Sequence, residues 1–262
     1  EVRNSMGNPV YTSVQEKDLG TAGWTSHEIE KLLEEGIYTA YITPYDNVGR
    51  VGNTLSTELK IDYTPPAIPR ITTIPDQYTN KRSITIEWEK PNDDEAVEYH
   101  LQIERPGTDT HSSTVKDEKY TFDVDSDGKV TFRVRAEDSS GNKSDFAVYE
   151  FNVDTVSPEP PNDIDVINSA QLDGLYTTSD INPTFKWDRV NNACQYILTV
   201  GDKNYKVSQS DENDIVEFKL LEDLKEDATY KVCVTSVDFA GNESVESPSI
   251  DLKFERTETH LP

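Results

Sequence analysis

Three stretches of the chain share one pattern of apolar and polar positions. Each is a strand in which apolar and polar residues alternate, followed by Asp-x-x-Gly and a polar residue; the stretches are Tyr38–Arg50, Val130–Asn142 and Tyr230–Asn242. Alternation with a period of two predicts a strand with one buried face. Asp-x-x-Gly is typical of a tight turn, because the carboxylate accepts backbone N–H groups and glycine tolerates a positive φ. Each copy therefore predicts a strand, a turn and a returning strand.

The spacing of the turn aspartates predicts domain-sized units. These residues are Asp46, Asp138 and Asp238. Steps of roughly 100 residues fit whole domains rather than solenoid repeats. Proline-rich runs follow the first two copies, at 65–66 and 158–161. Because proline cannot continue a β-ladder and favours extended backbone, each run predicts a stiff linker after the last strand of a domain.

The pattern divides the chain into three units. Unit two, residues 67–155, and unit three, residues 162–256, are predicted to be complete. In both, a tryptophan begins a strand about 50 residues before the turn aspartate, at Trp88 and Trp187. Alternating apolar positions recur between that tryptophan and the turn at the density typical of an all-β sandwich. We therefore predict an all-β fold of tandem Ig-like sandwiches in an extended array.

Unit one, residues 1–64, is predicted to be the C-terminal part of a sandwich. The step back from Asp46 that would reach the tryptophan strand falls before Glu1. The equivalents of the first two strands are therefore expected outside this sequence. A short helix is predicted over 26–35, since its leucines and Ile29 share a helical face and Gly36 suits the C-terminal cap.

Composition narrows the classes of function. The 262 residues are 34% hydrophobic and carry a formal net charge of −25. No apolar run approaches the roughly 20 residues of a membrane-spanning helix. Nucleic acid is excluded as a partner because its phosphates recruit lysine and arginine. The charge is compatible with divalent cations or a basic partner.

The two cysteines, Cys194 and Cys233, are too few for a disulfide scaffold. The alternation places Cys233 out of phase with Val232 and Val234, so it is expected to face outward. Cys194 is in phase with Tyr196, which is expected to face inward. Side chains on opposite faces of one sheet cannot form a disulfide without distortion.

Unit three resembles a fibronectin type III domain. The residues that carry this resemblance are Trp187, Tyr196, Leu224 and Tyr230, and Tyr230 comes six residues after Leu224. The resemblance implies that the tryptophan and Tyr196 pack in the core. It also implies a corner in which the Tyr230 hydroxyl holds the loop before its strand. Unit two keeps the tryptophan but has Val130 at the corner position. The turn and the Asp-Thr-x-x-Pro linker resemble tandem variants in bacterial surface and secreted proteins.

One motif has the start of a calcium loop. Asp123, Asp125 and Asp127 alternate with other residues before Gly128, as in the Asp-x-Asp-x-Asp-Gly of an EF-hand. The twelfth position, where a bidentate glutamate is required, is Val134. The alternative is an ordinary β-turn with solvated carboxylates, and this is the favoured interpretation.

The aspartates at the turns and linkers offer a second cation hypothesis. Asp62 and Asp154 near the linkers, together with the three turn aspartates, could form calcium sites between units. Self-capped turns are the favoured alternative. The four histidines have no partner at metal-ligand spacing and are interpreted as surface residues. No catalytic residue, cofactor site or metal ligand is assigned.

Two further patterns allow a binding role. Asn142 and Asn242 begin Asn-x-Ser sequences, which are formal glycosylation acceptors, although turn geometry explains them adequately. A sugar-stacking strip could be formed by exposed tyrosines; the candidates are Tyr45, Tyr78, Tyr149, Tyr176 and Tyr205.

The sequence predicts the fold more closely than the function, because this sandwich hosts many unrelated roles. We expect a non-catalytic spacer or stalk in a larger extracellular, bacterial, adhesin-like surface or secreted protein. Its partners would be the adjoining domains of the same polypeptide. The alternatives are a module that binds carbohydrate or a host protein, and the accessory domains of a secreted glycoside-degrading enzyme.

Overall fold

The structure, a computed structural model, describes residues 1–13, 28–29, 33–46, 48–91, 96–208, 214–225 and 228–255. Regular secondary structure in these residues consists of β-strands. The predicted all-β class is therefore confirmed. In the described part of the chain, no helix has the length and apolar character needed to cross a bilayer.

Unit one forms a single antiparallel sheet in the described residues. Its strands are β1 (Val2–Asn4), β2 (Pro9–Tyr11), β3 (Gly36–Ile42) and β4 (Leu55–Ile61). They are ordered β2-β1-β3-β4. Strand β3, which belongs to the first of the three repeated stretches, therefore lies between β1 and β4. Val2, Leu33 and Tyr38 form a small buried cluster on one face.

The predicted helix over 26–35 lies largely outside the described residues. The described positions within it, 28–29 and 33–35, have no helical structure. Gly36 is the first residue of β3 rather than a helix cap. Leu33 is buried in the cluster with Val2 and Tyr38.

Unit two is built from two facing sheets. Its strands are β5 (Arg70–Thr73), β6 (Tyr78–Thr79), β7 (Ser83–Glu89), β8 (Ala96–Glu104), β9 (His111–Val115), β10 (Lys119–Asp123), β11 (Gly128–Asp138) and β12 (Ala147–Val153). One sheet is ordered β10-β7-β5 and the other β6-β12-β11-β8-β9. Only β6 with β12 is a parallel pair among these strands.

Unit three repeats the arrangement. Its strands are β13 (Ile164–Val166), β14 (Ala170–Leu172), β15 (Leu175–Thr178), β16 (Thr184–Asp188), β17 (Ala193–Val200), β18 (Lys203–Ser208), β19 (Ile215–Lys219), β20 (Thr229–Asp238) and β21 (Ile250–Phe254). The sheets are ordered β13-β16-β19 and β14-β15-β21-β20-β17-β18. As in unit two, a short strand joins the last strand of the unit in parallel, here β15 with β21.

Each sandwich encloses its own apolar core, with Trp88 and Tyr99 in unit two and Trp187 and Tyr196 in unit three. The tryptophans are 3% and 2% exposed, which confirms that both are core residues. The alternation along β11 is equally clear, because Val130, Phe132, Val134 and Ala136 have no solvent exposure.

The orientation predicted for Cys233 is correct, because this residue faces away from the core that contains Val232 and Val234, although its side chain is buried. The orientation predicted for Cys194 is wrong. Cys233 is buried on the far face of β20, where burial raises the pKa of its thiol beside Glu246 and Thr199. Cys194 is half-buried because an irregularity in the β17–β20 register, between Ala193 and Gln195, shifts the alternation at that end of β17. Both cysteines are free thiols.

Candidate functional site: two repeated joints between units

The three Asp-x-x-Gly turns fold in the same way. In each, one carboxylate oxygen accepts two backbone N–H groups of its own turn, and the glycine has a φ between +80° and +88°. The hydrogen bonds to Asp46 come from Val48 and Arg50, those to Asp138 from Ser140 and Asn142, and those to Asp238 from Ala240 and Asn242, at 2.8–3.0 Å. The favoured interpretation of self-capped turns is confirmed.

The last residue of the turn links unit two to unit one. The side-chain amide of Asn142 donates to the second carboxylate oxygen of Asp138 at 2.9 Å. The same nitrogen donates to the backbone carbonyl of Asp62, 80 residues earlier, at 3.0 Å. Both amide hydrogens are therefore used, one within the turn and one across the boundary between units.

Unit three is joined to unit two by the same two hydrogen bonds. The Asn242 amide donates to Asp238 at 2.8 Å and to the backbone carbonyl of Asp154 at 2.9 Å. We call each pairing of a turn asparagine with the preceding strand-end carbonyl a joint. The first joint is Asn142 with Asp62, and the second is Asn242 with Asp154.

The strand-end aspartates shape the linker that leaves each joint. Asp62 accepts the backbone N–H of Thr64 at 3.1 Å, and Asp154 accepts that of Val156 at 3.0 Å. The aspartate side chain thus stabilises a turn at the start of the linker, while the backbone carbonyl of the same aspartate accepts the asparagine amide. Hydrogen bonding with Lys60 lowers the pKa of Asp62, so this carboxylate is charged at neutral pH.

Each joint has one further contact of its own. In the first, the Ser140 hydroxyl lies 3.4 Å from a carboxylate oxygen of Asp62. In the second, the ring of Phe239 meets that of Tyr78 with centroids 5.8 Å apart. The hydrogen bond is therefore the shared element, and the surrounding contacts differ between the two.

The Asn-x-Ser sequences are explained by this geometry. The Ser144 hydroxyl accepts the backbone N–H of Ala136 at 3.0 Å, and the Ser244 hydroxyl accepts that of Ser236 at 2.9 Å. The amide of each asparagine is already committed to two acceptors. The serine thus holds the turn and the asparagine holds both the turn and the joint, and a glycan on the asparagine amide would break the joint.

The calcium hypothesis concerned the aspartates of the linkers and turns. The structure does bring Asp62 to the turn of Asp138 and Asp154 to the turn of Asp238. The carboxylate oxygens of Asp138 and Asp238, however, accept hydrogen bonds from backbone N–H groups and from the asparagine amide of their own turns. The polar group that bridges the units in both joints is the amide of the turn asparagine.

The loop at 123–128 is held by an arginine. Arg82 donates to Asp127 at 2.8 Å and to the carbonyl of Val124 at 3.0 Å. The backbone N–H of Thr155 also donates to Asp127, and this bond, with the Arg82 charge, lowers the pKa of that carboxyl. Asp125 is exposed, and Val134 lies in the core as expected. The geometry agrees with the β-turn interpretation.

One cluster of charged and polar side chains around His100 was not predicted from the sequence. His100, expected at the surface, is half-buried; its Nε2 bonds Glu137 and lies 3.7 Å from Glu98, and its Nδ1 contacts Thr114. The ligand atoms of Glu98, His100 and Glu137 lie within 4.8 Å of one another, close enough to hold a metal ion. Lys143 nevertheless lies 3.1 Å from Glu137, and hydrogen bonds from His100 and Lys143 lower the pKa of Glu137. Glu137 is therefore ion-paired with Lys143 and hydrogen-bonded to His100.

The five candidate tyrosines differ in their exposure to solvent. Tyr45 and Tyr78 are exposed, Tyr149 and Tyr205 are half-buried, and Tyr176 is only 8% exposed. The prediction for Tyr176 is wrong because β15 pairs with β21 and directs this ring into the core of unit three.

The corner predicted for unit three is present. The Tyr230 hydroxyl accepts the backbone N–H of Lys225 at 2.8 Å, beside the buried Leu224. Together with the three-stranded sheet facing a larger one in each sandwich, this is the fibronectin type III arrangement. The resemblance to fibronectin type III domains is confirmed at the level of the fold.

Three solved structures are among those to which the chain is similar. The chicken CNTN1 FN1-FN3 domains share 18% identity, with a TM-score of 0.49, over 84% of this chain and 75% of that one. The fibronectin(III)-like modules of Clostridium thermocellum CbhA share 10%, with a TM-score of 0.44, over 76% and 93%. A 1.5-MDa bacterial ice-binding adhesin shares 17%, with a TM-score of 0.36, over 85% and 76%. No protein-family model and no curated protein matches the chain.

Proposed function

We propose that the chain is a non-catalytic spacer in a larger extracellular, adhesin-like surface or secreted protein of bacterial type. The observation that carries this proposal is the repeated joint, in which Asn142 and Asn242 make the same hydrogen bond to the preceding unit. A spacer must hold successive domains at defined angles, and a repeated contact does so at each boundary.

The proposal includes the division of the chain. Residues 67–155 and 162–256 would each be one sandwich, and residues 1–64 would be the C-terminal part of another. Units two and three have separate apolar cores, and this supports treating 67–155 and 162–256 as two sandwiches. The partners would be the adjoining domains of the same polypeptide.

A binding role is the second candidate. On the outer face of the larger sheet of unit two, a shallow depression of about 340 Å³ lies between β8, β9 and β11. Its lining combines the hydrogen-bonding groups of Gln102, Ser112 and Thr114 with the ring of Phe146. Polar groups beside an aromatic ring suit a saccharide or a segment of host protein.

Small-angle X-ray scattering of the monomer tests the spacer. Three sandwiches in line would be about 100 Å long, since a strand rises about 3.3 Å per residue. A rod of that length has a radius of gyration of about 30 Å, whereas a compact globule of this length would have about 18 Å. A value near the lower figure would contradict the proposal and favour a composite binding surface.

The contribution of the joints is tested with the double variant Asn142→Ala and Asn242→Ala. We expect a broader distribution of inter-unit distances by scattering, while each unit still unfolds cooperatively and loses only the contribution of the asparagine's hydrogen bond within its own turn. Asn53→Ala, at an exposed position at the opposite end of β4 from Asp62, is the matched control. An unchanged distribution in the double variant would remove the observation on which the proposal depends.

A further inference from the structure

Each unit ends in an acidic residue directly after its last strand. Asp62 follows β4, Asp154 follows β12 and Glu255 follows β21. We call this residue, with the strand end beside it, the exit edge of the unit. The exit edges of units one and two accept the turn asparagine of the next unit.

The exit edges of units two and three have the same backbone hydrogen bonds and the same strand pairing. The N–H of Asp154 donates to the carbonyl of Thr79 at 3.0 Å, and that of Glu255 donates to the carbonyl of Thr178 at 2.9 Å. The two threonines occupy matching places, because Thr79 pairs with Val153 and Thr178 with Phe254 in parallel strands. Both threonine side chains also accept a backbone N–H from two residues on.

The exit edge of unit three also shares a charge pattern with that of unit one. Lys60 lies 3.1 Å from Asp62, and Lys253 lies 2.5 Å from Glu255, in each case two residues before the acidic side chain. A lysine beside the acidic residue is thus compatible with a joint, since Asp62 forms one.

The exit edges differ in what covers them. Asp62 and Asp154 are half-buried, whereas Glu255 is exposed. The turn that fills the second joint also packs Phe239 against Tyr78. The residue of unit three that matches Tyr78 is Thr177, because each precedes the paired threonine by one position. The exit edge of unit three therefore offers the carbonyl and the strand frame without an aromatic contact.

We propose that the exit edge of unit three is a docking surface for the Asp-x-x-Gly-Asn turn of a further β-sandwich of the same kind. The asparagine amide of that partner donates to the Glu255 carbonyl, as Asn242 donates to Asp154. A turn with a small residue after its aspartate, like Ser139 in unit two, fits beside Thr177. This inference rests on the proposed spacer and names the partner of its last unit.

The test appends a sandwich of known sequence to the intact array. One protein carries residues 1–255 followed by residues 155–256 again, and a second carries residues 1–255 followed by residues 63–155. Each thus places a native linker and a complete unit after Glu255. Residual dipolar couplings on segmentally labelled samples then report whether unit three and the appended unit share one alignment.

We expect a shared alignment in at least the second protein, whose appended turn carries Ser139. Asn142→Ala in the appended copy alone should abolish the shared alignment, while Glu255→Ala, which keeps the carbonyl, should preserve it. Asn242→Ala in the resident unit three is the positive control, because it removes a joint present in the structure.

Independent alignment of the appended unit in both proteins, with its asparagine intact, would overturn the inference. An appended unit that does not fold after Glu255 also counts against it, since the same sequence folds in its resident position. In either case an ordered resident joint leaves the spacer proposal standing. Loss of alignment between units two and three of the unmodified chain would instead contradict the spacer itself.

Discussion

The indole of Trp187 contacts the ring of Tyr196 edge-on, with ring centroids 5.5 Å apart and an interplanar angle of 69°. Trp88 and Tyr99 meet in unit two at 5.4 Å and the same angle. Edge-to-face pairs of this kind stabilise a core beyond the apolar area that they bury. The two sandwiches thus share one packing solution between their facing sheets.

Replacing either tryptophan by alanine should destabilise its own unit. We expect Trp88→Ala or Trp187→Ala to lower the free energy of unfolding by about 3–5 kcal/mol, because a large buried side chain is lost and a cavity remains. Denaturant unfolding monitored by circular dichroism measures the change. Val245→Ala, at a position that is 75% exposed, is the control and should have little effect. A loss below about 1 kcal/mol in a tryptophan variant would contradict its core role.

Removing the Tyr230 hydroxyl should weaken the corner of unit three. Tyr230→Phe leaves the Lys225 N–H without this acceptor while keeping the ring. We expect a loss of about 1 kcal/mol, the usual net contribution of such a hydrogen bond. Tyr45→Phe, which alters an exposed hydroxyl, is the matched control. Equal stabilities of the two variants would show that the corner bond contributes nothing.

The carboxylate of Asp127 should make stability depend on pH. Its pKa is lowered in the folded protein by the Thr155 N–H and the Arg82 charge. The stabilisation is therefore complete above the unfolded pKa of about 3.9 and is lost as pH falls through the lower folded value. Asp127→Asn should lower the melting temperature at pH 7, and the difference from wild type should shrink below about pH 4. A difference that stays constant down to about pH 2 would exclude this linkage.

Calcium should have little effect on the 123–128 loop. Asp127 already accepts Arg82 and Thr155, and the residue at the closing position, Val134, is buried. Since a ligand that binds the folded state raises its stability, millimolar calcium should leave the melting temperature nearly unchanged. Calorimetry with calcium and with magnesium as control measures this. A large calcium-specific rise that Asp125→Ala abolishes would establish a site.

The sheet of unit one should bind an apolar dye. Ile42 and Leu55 are paired across β3 and β4 and are 66% and 70% exposed, whereas Val134, at the corresponding place before its turn in unit two, is fully buried. Ile42→Ser with Leu55→Ser should reduce the fluorescence of an apolar dye and any self-association, because an uncovered apolar face is removed. Val245→Ser is the control. Unchanged dye binding would show that this face is not the exposed one.

The fold was accessible from sequence because its signals are local. Alternation with a period of two identified the core face of β11 and β20, and the Asp-x-x-Gly pattern identified turns whose hydrogen bonds span at most four residues. Trp187, Tyr196, Leu224 and Tyr230 carried enough of the sandwich pattern to predict its core and corner. Such patterns depend on backbone geometry that neighbouring residues determine.

The contacts that support a function were decided by tertiary structure. Asn142 and Asn242 look like turn residues or glycan acceptors in sequence, and only the folded chain directs their amides to carbonyls 80 and 88 residues away. The register of β8 against β11 brings His100 to Glu137, and a register irregularity reorients Cys194. The alternation of a single strand states which residues share a face. It does not state which distant backbone group will lie opposite them, since that depends on how separate strands and units pack.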